Sequence, residues 1–214
     1  MKKRLFELAR GATEEELDQI ESIIREAMTR AHDTADFERT VNQRLMPFNT
    51  RFTSSNPTLN NAGAPAMYDG AGVVLNSNMV YNPRLMDADS MARGCRVMIS
   101  HELVHHAQHK AAERTGDVTK LAGQGARLQT PGGTADWKRY FEDPHENMAY
   151  ARSEIDVMRA MGIPQKEILQ RLQRGQRSPG MNYTPTDKKR FLKNAYRYAT
   201  ETRARRIVTN LLEH

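Results

Sequence analysis

Residues 97–112 read VMISHELVHHAQHKAA and contain the pattern His-Glu-x-x-His at His101, Glu102 and His105. Apolar residues recur around this pattern at helical spacing, which predicts one helix over about residues 89–114. On a helix, His101 and His105 are about 40° apart in rotation and about 6 Å apart along the axis, so both imidazoles can bind one zinc ion. Glu102 lies about 100° round the helix, where it can act as a general base on a zinc-bound water without being a ligand.

The neighbouring histidines do not extend this pattern. A third histidine six residues after His105 would complete one well-known ligand set, but Ala111 occupies that position. His109 lies about 12 Å along the axis from His101, and His106 faces about 100° away from His105. We therefore expect His106 and His109 to be surface or supporting groups, and we expect the third zinc ligand to come from elsewhere in the chain.

Glu146 is the better candidate for the third ligand. It follows Asp143-Pro144, a pair that caps and opens helices, so it falls in the first turn of a helix predicted near residues 144–161. The ordinary alternative is a first-turn glutamate that complements the helix dipole. Two imidazoles with one carboxylate suit a catalytic zinc ion, and a chain with Cys95 as its single cysteine cannot build a thiolate-rich structural site.

The two motifs resemble those of the gluzincin metallopeptidases, in which a later helix supplies a ligand glutamate within a Glu-x-x-Ala element. The resemblance matches His101 and His105 to the zinc ligands, Glu102 to the general base, and Glu146 with Ala149 to that element. It implies a zincin-like core and a zinc-dependent peptidase that acts on a peptide or protein. It also implies that the strand before the metal helix is an edge strand that aligns an extended substrate.

Two features of the gluzincin pattern are left open here. Tyr150 stands where these enzymes often carry an acidic residue that orients a zinc histidine, so this role is open to Glu154, Asp156 or a backbone carbonyl. Tyr140 is the first candidate for stabilising the oxyanion, because related enzymes place a tyrosine just upstream of the ligand glutamate. His145 and Tyr150 are the alternatives for that second role.

The whole chain predicts a predominantly helical α+β fold, with a small sheet packed on the metal-binding helix and further helices on either side. Thr13-x-x-Glu16 is a capping-box pattern for a helix over residues 13–31. Other elements are predicted as follows: helices from residue 36 to before Pro47, near 144–161, from Pro164 to Gly175 and over 187–212; one strand or two short ones over 71–81; loops over 53–66 and 122–134.

Charge divides the chain unevenly. We divide it into an N-terminal helical segment (1–50), a zincin-like core (51–162) and a basic C-terminal helical segment (163–214). The net charge is +6, but residues 1–160 contain 20 Lys and Arg against 22 Asp and Glu, whereas residues 161–214 contain 12 against 4. The site region therefore needs no nucleic acid to explain its charge. The C-terminal helix is the part that could bind nucleic acid or an acidic partner.

A second hypothesis comes from a different functional class. In it the zinc only stabilises the fold, or the site is inactive, and the protein works as a binding or structural protein through its basic C-terminal helix. An intermediate hypothesis is a DNA-associated protease. The compact size and the motifs also resemble open reading frames of phages and mobile elements.

Composition also bears on location. No stretch approaches the 18 or so apolar residues of a membrane span, so we expect no membrane partner. The chain begins with Lys-Lys-Arg, but Glu7, Arg10 and Glu14 interrupt any signal sequence. We expect a cytoplasmic protein, virion-associated if a phage encodes it. Cys95 has no evident partner for nucleophilic chemistry and is expected to be a buried thiol.

Overall fold

The computed structural model describes residues 12–115, 144–174, 189–196, 198 and 199. The fold is predominantly helical with one small sheet, which confirms the predicted α+β class. The chain forms two compact units, residues 1–123 and 124–214. Within the described ranges, no helix combines the length with the apolar content that a bilayer crossing demands.

Two amphipathic helices begin the first unit. Helix α1 (Glu14–Arg30) starts with the predicted capping box: Thr13 Oγ1 accepts a hydrogen bond from the Glu16 N–H, and the Glu16 carboxylate accepts one from the Thr13 N–H. Helix α2 (Thr34–Leu45) continues into a short 3-10 turn at Met46–Phe48. Both helices bury their apolar faces in the core of this unit.

The sheet has the strand order β1-β3-β2. Strand β1 (Thr50–Thr53) pairs in parallel with β3 (Val73–Asn76), and β2 (Ala66–Tyr68) pairs with β3 in antiparallel orientation. A Cβ atom at Gly72 would overlap the carbonyl oxygen of Asn49, so the close approach of the chain to β1 at this point requires glycine. In the order β1-β3-β2 the central strand is β3, which is also the strand nearest in sequence to the metal-binding helix. The expectation that this strand is an edge strand is wrong.

The loop predicted over residues 53–66 is also partly wrong. This stretch contains the end of β1, the short helix α3 (Pro57–Ala62) and the start of β2. Asn56 caps the helix by accepting a hydrogen bond from a backbone N–H, and Gly63 ends it in the left-handed conformation, with φ of 59°. Asparagine, proline and glycine thus form the two ends of a short helix here, although the same residues are typical of loops.

The strand predicted over residues 71–81 is shorter than expected. Only β3 is extended, and it is followed directly by the helical turn α4 (Ser77–Val80). The Asn76 side chain accepts a hydrogen bond from the Asn78 N–H and so caps this turn. A side-chain cap at the strand end explains why the apolar residues beyond it do not continue the sheet.

Helix α5 (Ala88–Thr115) is the longest element and matches the helix predicted over 89–114. It packs against α1, β2 and β3. Its buried side chains join those of α1, α2 and the sheet in one hydrophobic core; from α5 they are Met91, Ala92, Cys95, Ile99 and Leu103. The core therefore holds the helix that carries the His-Glu-x-x-His pattern against the sheet.

The second unit is described by helices α6 (Pro144–Ala160) and α7 (Gln165–Gln173) and by helical residues at 189–196 and 198–199. Helices α6 and α7 confirm the predictions near 144–161 and from Pro164. Each segment contributes a fully buried side chain, and these are Ile155, Ile168 and Phe191. The predicted loop at 122–134 and the rest of the helix predicted over 187–212 lie outside the described residues.

Candidate metal centre

His101 and His105 present their ring nitrogens to each other on α5. The two Nε2 atoms are 3.2 Å apart, and the ring centroids are 5.0 Å apart with an interplanar angle of 70°. Two histidine nitrogens that each lie 2.0–2.1 Å from one tetrahedral zinc ion are about 3.3–3.4 Å apart. The pair therefore already has nearly the spacing that shared coordination requires.

Gln108 lies on the same face of α5 and contacts His105. Its side-chain oxygen Oε1 is 3.0 Å from Nδ1 of His105, and the residue is 2% exposed. Gln108 is a residue of the site that the His-Glu-x-x-His motif does not include. The available signal was its spacing, because residues i, i+4 and i+7 of a helix form one stripe and His101, His105 and Gln108 stand at those positions.

Glu102 lies beside the pair with a partly exposed side chain. Among the residues that the structure describes, none forms a hydrogen bond or ion pair with its carboxylate. Both oxygens are therefore available to accept a proton or to orient a water molecule. This is the property that the general-base assignment requires of Glu102.

The other two histidines of α5 pack against β2. The Tyr68 ring contacts His106 edge-on at a centroid distance of 5.4 Å and His109 at 5.6 Å. Burial, together with the positive charges of Lys110 and His109, lowers the pKa of His106. His109 Nδ1 is 3.4 Å from a carboxylate oxygen of Glu113. These contacts separate His106 and His109 from the pair, as the helical geometry predicts.

Glu146 lies in the first turn of α6 and is 7% exposed. The sequence predicts Glu146 as the third ligand of a zinc ion held by His101 and His105, and this role stays a prediction. The donor atoms are two imidazole nitrogens and one carboxylate oxygen. This set fits zinc and leaves a fourth position for water or substrate.

Asp156, one of the two acidic residues predicted to orient a zinc histidine, has contacts within α6. The Asp156 carboxylate accepts hydrogen bonds from Arg152 at 2.8 Å and from Arg159 at 3.4 Å. Glu154 is buried in the same helix. Among the described residues, Gln108 is the one whose side chain faces Nδ1 of His105, and the orienting role of Asp156 or Glu154 stays a prediction.

The candidates for stabilising an oxyanion are described only in part. Tyr140 lies outside the described residues. His145 and Tyr150 are partly buried on α6, and Ala149 of the Glu-x-x-Ala element is fully buried. The assignment of this role among the three residues therefore stays a prediction.

Cys95 is the buried thiol that the sequence predicts. It is 1% exposed within the core of the first unit, and burial raises the pKa of its thiol to about 12. The neutral thiol is thus the form present at physiological pH, which excludes Cys95 as a nucleophile in the folded protein.

Comparisons with protein-family models, curated proteins and solved structures find no match to this chain. The proposed function therefore depends on the side-chain chemistry of the site.

Proposed function

We propose that this protein is a zinc-dependent hydrolase, most simply a peptidase. In this proposal His101, His105 and Glu146 bind the zinc ion and Glu102 is the general base. The observation that supports it best is the 3.2 Å separation of the two histidine Nε2 atoms, because it nearly equals the spacing of two nitrogens on one tetrahedral zinc.

The proposed reaction divides between the metal and the chain. A bound zinc ion would make a coordinated water more acidic and would polarise the carbonyl that is attacked. Glu102 would accept the proton released as the water oxygen bonds to the carbonyl carbon. It would then deliver that proton to the leaving nitrogen as the carbon–nitrogen bond breaks. Its position, about 100° round the helix from His101, allows this transfer without coordination of the metal.

Metal analysis combined with turnover measurements tests the proposal. We expect about one zinc per chain in the purified protein and a sharp loss of zinc in His105→Ala and Glu146→Ala. We expect Glu102→Gln to keep its zinc while cleavage of a peptide library falls by about 10²–10⁴-fold, the usual contribution of a general base. If protein purified without chelators and supplemented with zinc binds no metal, the proposal is wrong.

A matched control comes from the same helix. His109→Gln removes an imidazole that packs on Tyr68 and does not face the pair. It should therefore leave both zinc content and cleavage unchanged. A loss of zinc in this variant equal to that in His105→Ala would show that the effect comes from a damaged helix and not from a removed ligand.

A second candidate function is binding of nucleic acid through the basic C-terminal region. A hollow of about 520 Å³ runs along α7, and the side chains that line it include Lys166, Arg171 and Arg174. Arg171 pairs with Glu167 at 2.6 Å, whereas no described acidic side chain pairs with Lys166 or Arg174. These two cations are available to phosphate groups, and binding that weakens as salt is added would be the signature of such contacts.

A further inference from the structure

We propose that Gln108 is a positioning residue that fixes the tautomer of His105 and so prepares Nε2 of that ring for the metal. The part of this proposal that concerns metal binding rests on the proposed function. It adds a residue that is not a ligand and does not touch the substrate, and it states how that residue acts.

The geometry of the contact carries the inference. Gln108 Oε1 lies 3.0 Å from Nδ1 of His105. An amide oxygen can only accept a hydrogen bond, so the ring nitrogen that faces it must carry the proton. In a neutral imidazole the other nitrogen then bears the lone pair. That nitrogen is Nε2, which lies 3.2 Å from Nε2 of His101, on the side where the metal would bind.

Burial makes this preference strong. Gln108 is 2% exposed, so little bulk water is available to replace its oxygen as the acceptor. The opposite tautomer of His105 would place a lone pair against the amide oxygen and leave the buried bond unmade. The arrangement that presents Nε2 as a metal ligand is therefore favoured before any metal arrives.

The contact lies entirely within α5. His105 and Gln108 are three residues apart, and side chains at that spacing are neighbours on a helix surface. Helix α5 is itself held by the core of the first unit. The contact between Gln108 and His105 is thus set by the geometry of one helix.

The acceptor is an amide and carries no charge. Carboxylate partners are common for metal-bound histidines, and charge-assisted hydrogen bonds are about twice as strong as neutral ones. Gln108→Glu should therefore preserve or strengthen the bond to Nδ1. Gln108→Leu has a similar volume but no acceptor, and should remove the bond.

Nitrogen-15 NMR of the metal-free protein tests the tautomer directly. With the His105 signals identified by comparison with His105→Gln, we expect the wild type to carry its proton on Nδ1 and Gln108→Leu to show a mixture of both tautomers. The wild-type spectrum itself carries the result, and the His105→Gln spectrum serves only to identify the His105 signals. A wild-type His105 protonated mainly on Nε2 would overturn the proposal.

Zinc affinity, measured by competition with a chelating dye, tests the consequence. We expect Gln108→Leu to bind zinc about 10–100-fold more weakly, as is typical when a partner of a ligand histidine is removed. Gln108→Glu should bind at least as tightly as the wild type. Gln170→Leu makes the same chemical change on the exposed surface of α7 and should have no effect.

These outcomes separate positioning from packing and from the proposed function. If Gln108→Glu weakens zinc binding as much as Gln108→Leu, the residue acts through packing and the proposal is wrong. If the wild type itself binds no zinc, the proposed function fails, and the tautomer measurement still decides whether Gln108 sets the state of His105.

Discussion

The His101–His105 pair depends on apolar residues of the same helix. Ile99 and Leu103 of α5 are buried in the core of the first unit, one on each side of His101 in sequence. They fix the rotation of the helix about its axis, and this rotation determines where the imidazoles point. The 3.2 Å approach of the two Nε2 atoms therefore follows from packing as well as from the spacing of the motif.

The reactivity of Cys95 reports on the packing of the core in which it is buried. Since burial raises the pKa of its thiol to about 12, the folded protein contains almost no thiolate at pH 8, whereas the unfolded chain has a thiol of ordinary pKa near 8.5. We expect no reaction with Ellman's reagent in the folded protein and one reactive thiol per chain in guanidinium chloride. Rapid reaction of the folded protein would contradict the burial of Cys95.

The sequence predicted the local part of the site better than the rest. The spacing of His101, Glu102 and His105 acts within one helix, where rotation and rise are fixed, so their relative placement could be calculated in advance. Gln108 was missed because its role depends on burial and on the rotamers of two side chains, which spacing alone does not give. Glu146 could be proposed from its motif, but no local rule determines where a residue 41 positions after His105 lies in space.

Arg96 joins α1 to α5 through ion pairs with carboxylates of α1. Its guanidinium pairs with Glu14 at 2.9 Å, with Glu21 at 3.1 Å and with Asp18, while its own side chain is only 10% exposed. Arg96→Met would leave these carboxylates without their shared cation, two of them partly buried. We expect the free energy of unfolding in urea to fall by about 2–3 kcal/mol, less than for a fully buried pair because Asp18 is largely exposed.

An exposed ion pair provides the control for Arg96. Arg44 and Glu26 also join two helices, α2 and α1, but both side chains are 42% exposed. Arg44→Met should therefore change stability much less than Arg96→Met. Equal effects of the two substitutions would mean that burial does not strengthen the Arg96 contacts.

Short elements explain where the sequence misled the fold prediction. Helices α1, α5 and α6 are at least 17 residues long, and their periodicity and caps are readable from the chain alone. The strands have only three or four residues each, which is too short for a clear alternation. The central place of β3 depends on pairing with β1 and β2, and such contacts between distant segments leave little trace in the local sequence.

Excess positive charge and candidate chemistry occupy different parts of the chain. Residues 1–160 contain every proposed ligand and the proposed base and have a net charge of −2, from 20 basic and 22 acidic residues. Residues 161–214 have a net charge of +8, from 12 and 4, and they include α7. If the protein binds a polyanion, the contacts should therefore map to the C-terminal region and leave the zinc site unaffected.

The affinity of the full-length protein for labelled duplex DNA tests this separation. If α7 binds phosphate groups, the double substitution Lys166→Glu with Arg174→Glu should weaken binding and reduce the slope of log affinity against log salt by about one for each phosphate group that is no longer bound. Zinc content should not change. Arg30→Glu with Arg84→Glu alters the net charge of the first unit by the same amount at exposed positions and should have a smaller effect. Equal weakening by both pairs would indicate a response to total charge and no site on α7, and absence of binding by the wild type would rule out the second candidate function.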